Sequence, residues 1–123
     1  MSRLDIEKVN GVAIARVNED IDAANAVAIQ HELAGALGPD AVCLVVDLSA
    51  IRYLDSAGID MLLRLSDLLR HRRADLILVI PDGSQLKRLA TIVGLPKAIT
   101  IHPSLRDALR EASGPCHGAT LGA

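Results

Sequence analysis

Two continuous apolar runs constrain the fold of this chain most strongly. Residues 41–48 read AVCLVVDL and residues 74–80 read ADLILVI, and each run is about as long as one β-strand. Runs without polar alternation are typical of strands that are covered on both faces, as in a parallel sheet packed between helices. They therefore predict two central strands of a sheet whose faces other segments cover.

The segments around these runs predict the remaining elements. LDIEKV and VAIARV flank Asn10-Gly11, a dipeptide typical of two-residue β-hairpins. Helical patterns cover four segments, residues 20–39, 57–72, 82–96 and 104–112, and AITI at 98–101 reads as a short strand. Asp22 is the expected N-cap of the first helix. The order β-β-α-β-α-β-α-β-α favours a mixed, mostly parallel sheet with right-handed crossovers.

Composition narrows the function classes. The chain has 123 residues, a net charge of −2, one tyrosine and neither Phe nor Trp. Binding of single-stranded nucleic acid relies on aromatic stacking, and binding to phosphate backbones or anionic lipid relies on positive charge, so neither is expected. No apolar run approaches the roughly 20 residues of a membrane span, and the N-terminus lacks the apolar core of a signal peptide. We therefore expect a cytoplasmic protein that does not insert into membranes.

The two cysteines predict neither a disulfide framework nor a metal site. Cys43 lies inside an apolar run and Cys116 lies in the glycine-rich segment SGPCHGATLGA, and no further ligands accompany them. No metal and no cofactor are expected. Residues 1–112 are predicted to form a single domain, and residues 113–123 a flexible C-terminal tail.

The turn YLDSAG at residues 53–58 carries the candidate chemistry. Asp55 or Ser56 could simply cap the following helix, since capping is common for both residue types. A serine at a helix N-terminus is also exposed beside unpaired N–H groups, which favour a phosphate attached to it. Gly58 would let a bulky group come close. The residues alone leave both readings open.

A family resemblance adds to this reading. LVVDLSAIRYLDSAGIDMLLRL (44–65) resembles the core signature of STAS domains, in particular the bacterial anti-sigma factor antagonists. EDIDAANA (19–26) resembles the Glu-Leu-Asp turn of that family and places Asp22 on its aspartate, and GSQLKRLATIVGL (83–95) resembles its later helix. The similarity covers roughly residues 4–112. It implies an α/β STAS fold: a small, mixed, mostly parallel β-sheet with about four α-helices.

The resemblance also implies a function. Ser56 would be phosphorylated by a partner anti-sigma factor serine kinase, with Asp22, Asp47 and Asp55 around it. The unphosphorylated antagonist would bind the anti-sigma factor and so permit sigma-factor-dependent transcription. Phosphorylation would break that complex, and a serine phosphatase would restore it. The chain would then be a regulatory binding protein, not an enzyme, and a monomer or weak dimer.

The expected partner surface combines the turn at Asp22, the turn at Ser56 and the start of the following helix. Its residues are Asp22, Asp55, Ser56, Ala57, Gly58, Asp60 and Met61. Two positions depart from the family pattern: Ala57 stands where many members carry a second Ser or Thr, and Asn18 replaces a glycine.

Other functions are weaker expectations. The chain could be a STAS subunit of a membrane transporter complex of the lipid-transport type, or a divergent STAS domain that binds a small ligand. A hydrolase is disfavoured, because the sequence has no Gly-x-Ser-x-Gly motif and its four histidines suggest no catalytic triad.

Overall fold

The computed structural model describes residues 3–112, which form a single sheet flanked by helices. The strands in these residues are β1 (Leu4–Val9), β2 (Val12–Val17), β3 (Cys43–Asp47), β4 (Asp75–Val79) and β5 (Thr100–His102). The α-helices are α1 (Ala26–Ala36), α2 (Ser56–His71), α3 (Gln85–Ile92) and α4 (Leu105–Ala112), and a 3-10 turn spans Leu95–Lys97. The predicted order of strands and helices is confirmed. The expected flexible tail, residues 113–123, lies outside the described residues.

The strands lie in the sheet in chain order, from β1 to β5. β1 and β2 form an antiparallel hairpin, and β2 to β5 are parallel to one another. Asn10 and Gly11 both have positive φ, 49° and 82°, which is what a two-residue hairpin turn of the I′ type requires. The predicted mixed, mostly parallel sheet is therefore confirmed.

The two faces of the sheet are covered unequally. α1, α2 and α3 pack on one face, where Leu44 and Val46 of β3 join the larger core. α4 packs on the other face against a smaller core that includes Cys43 and Val45. Burial raises the pKa of the Cys43 thiol to about 12, and the nearby carboxylates Asp75 and Glu111 add to this. Cys43 is consequently a neutral core residue.

Local sequence signals explain where several helices begin and end. The Ser84 hydroxyl accepts a hydrogen bond from the Lys87 amide (3.1 Å) at the start of α3. Gly94 adopts the left-handed conformation (φ 78°) just after that helix, as the sequence predicts. Ser104 likewise accepts from the Asp107 amide (3.1 Å) at the start of α4.

Within residues 3–112 no helix combines the length and the apolarity that crossing a membrane demands.

Candidate functional site

Two segments meet beyond the carboxyl ends of β2 and β3. We call residues 18–25 the Asp22 loop and residues 53–58 the Ser56 turn. Ile21 and Leu54 form an isolated parallel bridge. The Ile21 amide donates to the Tyr53 carbonyl (3.3 Å), and the Asp55 amide donates to the Ile21 carbonyl (3.2 Å). The structure therefore brings the Asp22 loop and the Ser56 turn side by side, as the sequence predicts.

A second link between these segments involves Asp20, which the sequence analysis missed. One oxygen of its carboxylate, Oδ1, accepts hydrogen bonds from the Arg52 amide (2.8 Å) and the Tyr53 amide (3.1 Å). Hydrogen bonds to an ionised acceptor are stronger than those between neutral groups. The donors are main-chain groups 32 and 33 residues away, so no local sequence pattern could have revealed this contact.

Asp22 does not cap the first helix directly, which corrects the prediction. Its Oδ1 accepts from the amides of Ala24 (2.8 Å) and Asn25 (3.2 Å), while its own amide donates to Asn25 Oδ1 (2.9 Å). These bonds close a turn, and α1 begins only after it, with Asn25 in the N-cap position and no hydrogen bond from that cap side chain to the helix. Asp22 thus stabilises the loop that leads into α1, and it remains exposed.

Asp55 caps α2, and Ser56 is the first residue of the helix. Asp55 Oδ1 accepts from the amides of Ala57 (2.9 Å) and Gly58 (3.1 Å). Ser56 is exposed, and among residues 3–112 its hydroxyl has no hydrogen-bond partner. The expectation that this helix end offers unpaired amides to a phosphate needs correction, because the Asp55 carboxylate already occupies two of them.

Gly58 and Met61 lie beneath the surface. A Cβ atom at Gly58 would collide with Leu54 Cδ1 and would lie 3.1 Å from Ile21 Cγ2. The bulky groups that approach Gly58 therefore belong to the core of this chain. Met61 is only 2 % exposed and packs in the larger core. Both residues were expected on the partner surface, whereas the structure buries both of them.

Comparison with known proteins identifies the architecture. The family model described as STAS domain matches residues 3–108. The chain belongs to the STAS domain family. It is 30 % identical over 105 residues to the anti-sigma-F factor antagonist RsfB of Mycobacterium tuberculosis, which covers 85 % of this chain and 84 % of the relative.

Solved structures agree with this STAS assignment. An anti-sigma factor antagonist from Mycobacterium paratuberculosis superposes with a TM-score of 0.75 at 26 % identity, over 90 % of this chain and 93 % of that one. SpoIIAA, an anti-sigma factor antagonist in its unphosphorylated form, shares the fold with a TM-score of 0.71 at 16 % identity, over 90 % of this chain and 96 % of the other. The predicted STAS fold is confirmed.

Asp47 anchors the start of the segment that leads to Ser56. It is 2 % exposed. Its Oδ1 accepts from the amide (2.9 Å) and the hydroxyl (2.6 Å) of Ser49, and its Oδ2 lies 3.5 Å from Arg16 Nε. A buried carboxylate needs such partners. The Asp47 carboxylate therefore fixes the strand end in this STAS domain and is already occupied by its own neighbours.

The surface around Ser56 combines acidic and apolar groups. Asp60 is exposed one helical turn after Ser56, where its Oδ2 lies 2.7 Å from Arg64 Nε. Leu63 follows two turns after Ser56 and so lies on the same side of α2. Tyr53 and Leu63 are 54 % and 37 % exposed. Neither residue was among the predicted partner-binding residues, and both present apolar surface close to Ser56 along the chain.

Across residues 3–112, no group of three or more His, Cys, Asp or Glu side chains is placed so that it could hold a metal ion. Cys116 and His117 lie outside that range.

Proposed function

We propose that this STAS domain is an anti-sigma factor antagonist switched at Ser56. In its unphosphorylated form it binds an anti-sigma factor serine kinase, and it releases that kinase once Ser56 carries a phosphate. A serine phosphatase reverses the switch. The domain is a binding protein rather than an enzyme, because the kinase supplies the ATP and the phosphoryl-transfer chemistry. The observation that carries the proposal is an exposed Ser56 with an unengaged hydroxyl at the junction of two loops.

Three of the four other described serines help to explain why Ser56 would be the modified residue; the fourth, Ser66, lies within α2 and is only partly exposed. The hydroxyls of Ser49, Ser84 and Ser104 each make a hydrogen bond that stabilises a turn or a helix end. Adding a phosphate to one of them would disrupt that contact. At Ser56 the cap is supplied by Asp55, so modification leaves the helix end intact.

Electrostatics explains how a phosphate would break the complex without a change of fold. A phosphate on Ser56 would add a charge of about −1.5 to −2 beside Asp55. The Asp55 carboxylate already accepts hydrogen bonds from the Ala57 and Gly58 amides. A docked partner would have to bury this charge, and an uncompensated buried charge costs several kcal/mol. A loss of about 3 kcal/mol weakens binding roughly a hundredfold.

The proposed partner surface consists of the accessible part of the predicted set. It comprises Asp22, Asp55, Ser56, Ala57 and Asp60, together with the neighbouring side chains Tyr53 and Leu63. The carboxylates favour a partner whose docking groove is basic, because complementary charge steers association and fixes orientation.

Titration calorimetry tests this function directly. Each purified anti-sigma factor kinase of the source organism is titrated with wild type, Ser56→Ala and Ser56→Glu. For the cognate kinase we expect Ser56→Ala to bind within about threefold of wild type and Ser56→Glu to bind at least about tenfold more weakly. Gln85→Glu is the matched control, since it adds the same charge at the exposed start of α3.

The possible outcomes separate the hypotheses. Equal affinities for wild type, Ser56→Ala and Ser56→Glu would remove Ser56 from the interface. If none of the kinases binds the wild-type chain, the transporter-subunit hypothesis becomes the better one.

A further inference from the structure

We propose that Tyr53 is an aromatic anchor of the partner surface and that Asp20 is the residue that positions it. This inference rests on the proposed function and adds two residues to it. It concerns how the chain holds a recognition side chain rigid beside the phosphorylated serine.

Tyr53 has the features of an interface anchor. It is the single aromatic residue of the chain, and its side chain is 54 % exposed although the core is built of aliphatic side chains. Tyrosine is enriched among the residues that dominate binding energy at protein interfaces. It offers a large contact area and has only two side-chain torsions to fix, so binding loses little conformational entropy.

The main chain at Tyr53 is held on both sides by the Asp22 loop. Its amide donates to Asp20 Oδ1 (3.1 Å), and its carbonyl accepts from the Ile21 amide (3.3 Å). The side chain therefore projects into solvent from a fixed backbone. Preorganisation of this kind raises affinity because less ordering is needed on binding.

The location of Tyr53 sets it apart from other exposed apolar residues. It lies three residues before Ser56 in the same turn, close enough along the chain for one partner to contact both residues. Ile92 is more exposed, at 75 %, but it is the last residue of α3, a helix that begins after a different strand. Exposure alone is therefore a poor criterion, and Ile92 provides a matched control.

Asp20 acts through Tyr53 in this scheme. A single carboxylate oxygen bridges the consecutive amides of Arg52 and Tyr53. Asp20→Ala removes that acceptor and leaves both amides to water, so the segment gains freedom. Asp20→Asn retains an oxygen at the same place and should preserve the geometry. Comparing Asp20→Asn with Asp20→Ala therefore separates the effect of the lost hydrogen-bond acceptor from the effect of the lost surface charge.

The test is calorimetric titration of the cognate kinase identified above, with Ser56→Glu measured in the same series. We expect Tyr53→Ala to lower affinity at least about tenfold, with Ile92→Ala within about twofold of wild type. Asp20→Ala should lower affinity about fivefold, and Asp20→Asn should restore most of it. Amide NMR shifts of Arg52 and Tyr53 should move in Asp20→Ala and stay near wild type in Asp20→Asn. Thermal unfolding of each variant checks that the fold is retained.

A double-mutant cycle decides whether Asp20 acts through Tyr53. Asp20→Ala combined with Tyr53→Ala should bind no more weakly than Tyr53→Ala alone, and additive losses would overturn the positioning role. If Tyr53→Ala binds like wild type while Ser56→Glu binds weakly, the anchor is refuted and the proposed function stands. If Ser56→Glu also binds like wild type, the proposed function itself fails.

Discussion

The two serine-containing turns that precede α2 and α3 use their serines in opposite ways. In the first, Asp55 caps the helix and the neighbouring Ser56 hydroxyl is left unengaged. In the second, Ser84 is itself the cap: its hydroxyl accepts from the Lys87 amide (3.1 Å) and donates to the Pro81 carbonyl (2.7 Å). In this domain the Ser56 hydroxyl is unengaged because Asp55 supplies the cap, whereas the Ser84 hydroxyl is itself engaged as the cap.

The two turns also differ in what holds them. The Ser84 turn is closed by local bonds, such as the one from the Ser84 amide to the Pro81 carbonyl (3.3 Å). The Ser56 turn is tied to a distant segment through Asp20 and Ile21. A partner docked on the Ser56 turn therefore meets two segments in fixed register, which favours specific recognition at this turn.

The largest expected effect concerns phosphorylation itself. With the cognate kinase and ATP, wild type and Ser84→Ala should each accept about one phosphate per chain, whereas Ser56→Ala should accept almost none. The physical reason is that the Ser56 hydroxyl is exposed, whereas that of Ser84 is engaged in two hydrogen bonds. Intact-mass spectrometry with peptide mapping locates the phosphate. A phosphate found mainly on Ser84 would contradict the assignment of Ser56 as the modified serine.

Packing beneath the two turns should differ measurably. Gly58→Ala should lower the free energy of unfolding by about 1–3 kcal/mol, because the new methyl group would overlap Leu54 and crowd Ile21. Gly83→Ala in the other turn has open space, but its φ of 77° disfavours alanine, so a loss of about 1 kcal/mol is expected. Gly35→Ala is the control, since it is helical with nothing within 4 Å. Urea unfolding reports all three, and equal stability of Gly58→Ala and Gly35→Ala would refute the close packing.

The caps themselves provide a smaller contrast. Ser84→Ala should destabilise the domain by about 1 kcal/mol through loss of its N-cap bond. Ser56→Ala should change stability by less than about 0.5 kcal/mol, because the side chain is exposed and makes no cap bond. Thermal unfolding of the two variants in parallel compares them, and a larger loss for Ser56→Ala would contradict the assignment of the cap to Asp55.

The smallest effect is expected at the rim of the partner surface. Asp60→Asn should slow association with the kinase by about two- to threefold and leave dissociation nearly unchanged, because exposed rim charges act mainly on encounter. Asp67→Asn is the control, because Asp67 is an exposed carboxylate of α2 that lies two helical turns beyond Asp60. Surface plasmon resonance at two salt concentrations separates the rates. A dominant change in dissociation would place Asp60 inside the interface.

Local signals made most of the fold predictable. Asn10-Gly11 specified the hairpin, because both residues tolerate positive φ. The apolar run that contains Cys43–Asp47 specified a strand buried along its whole length. Gly94 marked the end of α3 for a similar local reason. In each case the deciding interaction lies within a few residues along the chain.

Parts of the site depended on contacts that the sequence does not display. The Asp20 carboxylate binds amides more than 30 residues away. Asp22 and Asn25 are both good cap residues, and the bonds between them placed the start of α1 three residues later than predicted. Met61 lies on an apolar stripe of α2 whose sequence pattern fits either a core or a docking face. In the structure α2 packs on the sheet, and Met61 is part of the larger core.

The most direct test uses the phosphate itself. One preparation of the chain is fully phosphorylated at Ser56, half of it is treated with a serine phosphatase, and the affinity of both halves for the cognate anti-sigma factor kinase is measured by calorimetry. We expect the phosphorylated half to bind roughly a hundredfold more weakly, with circular dichroism and thermal unfolding of the two halves alike. Affinities that agree within about twofold would contradict the switch at Ser56.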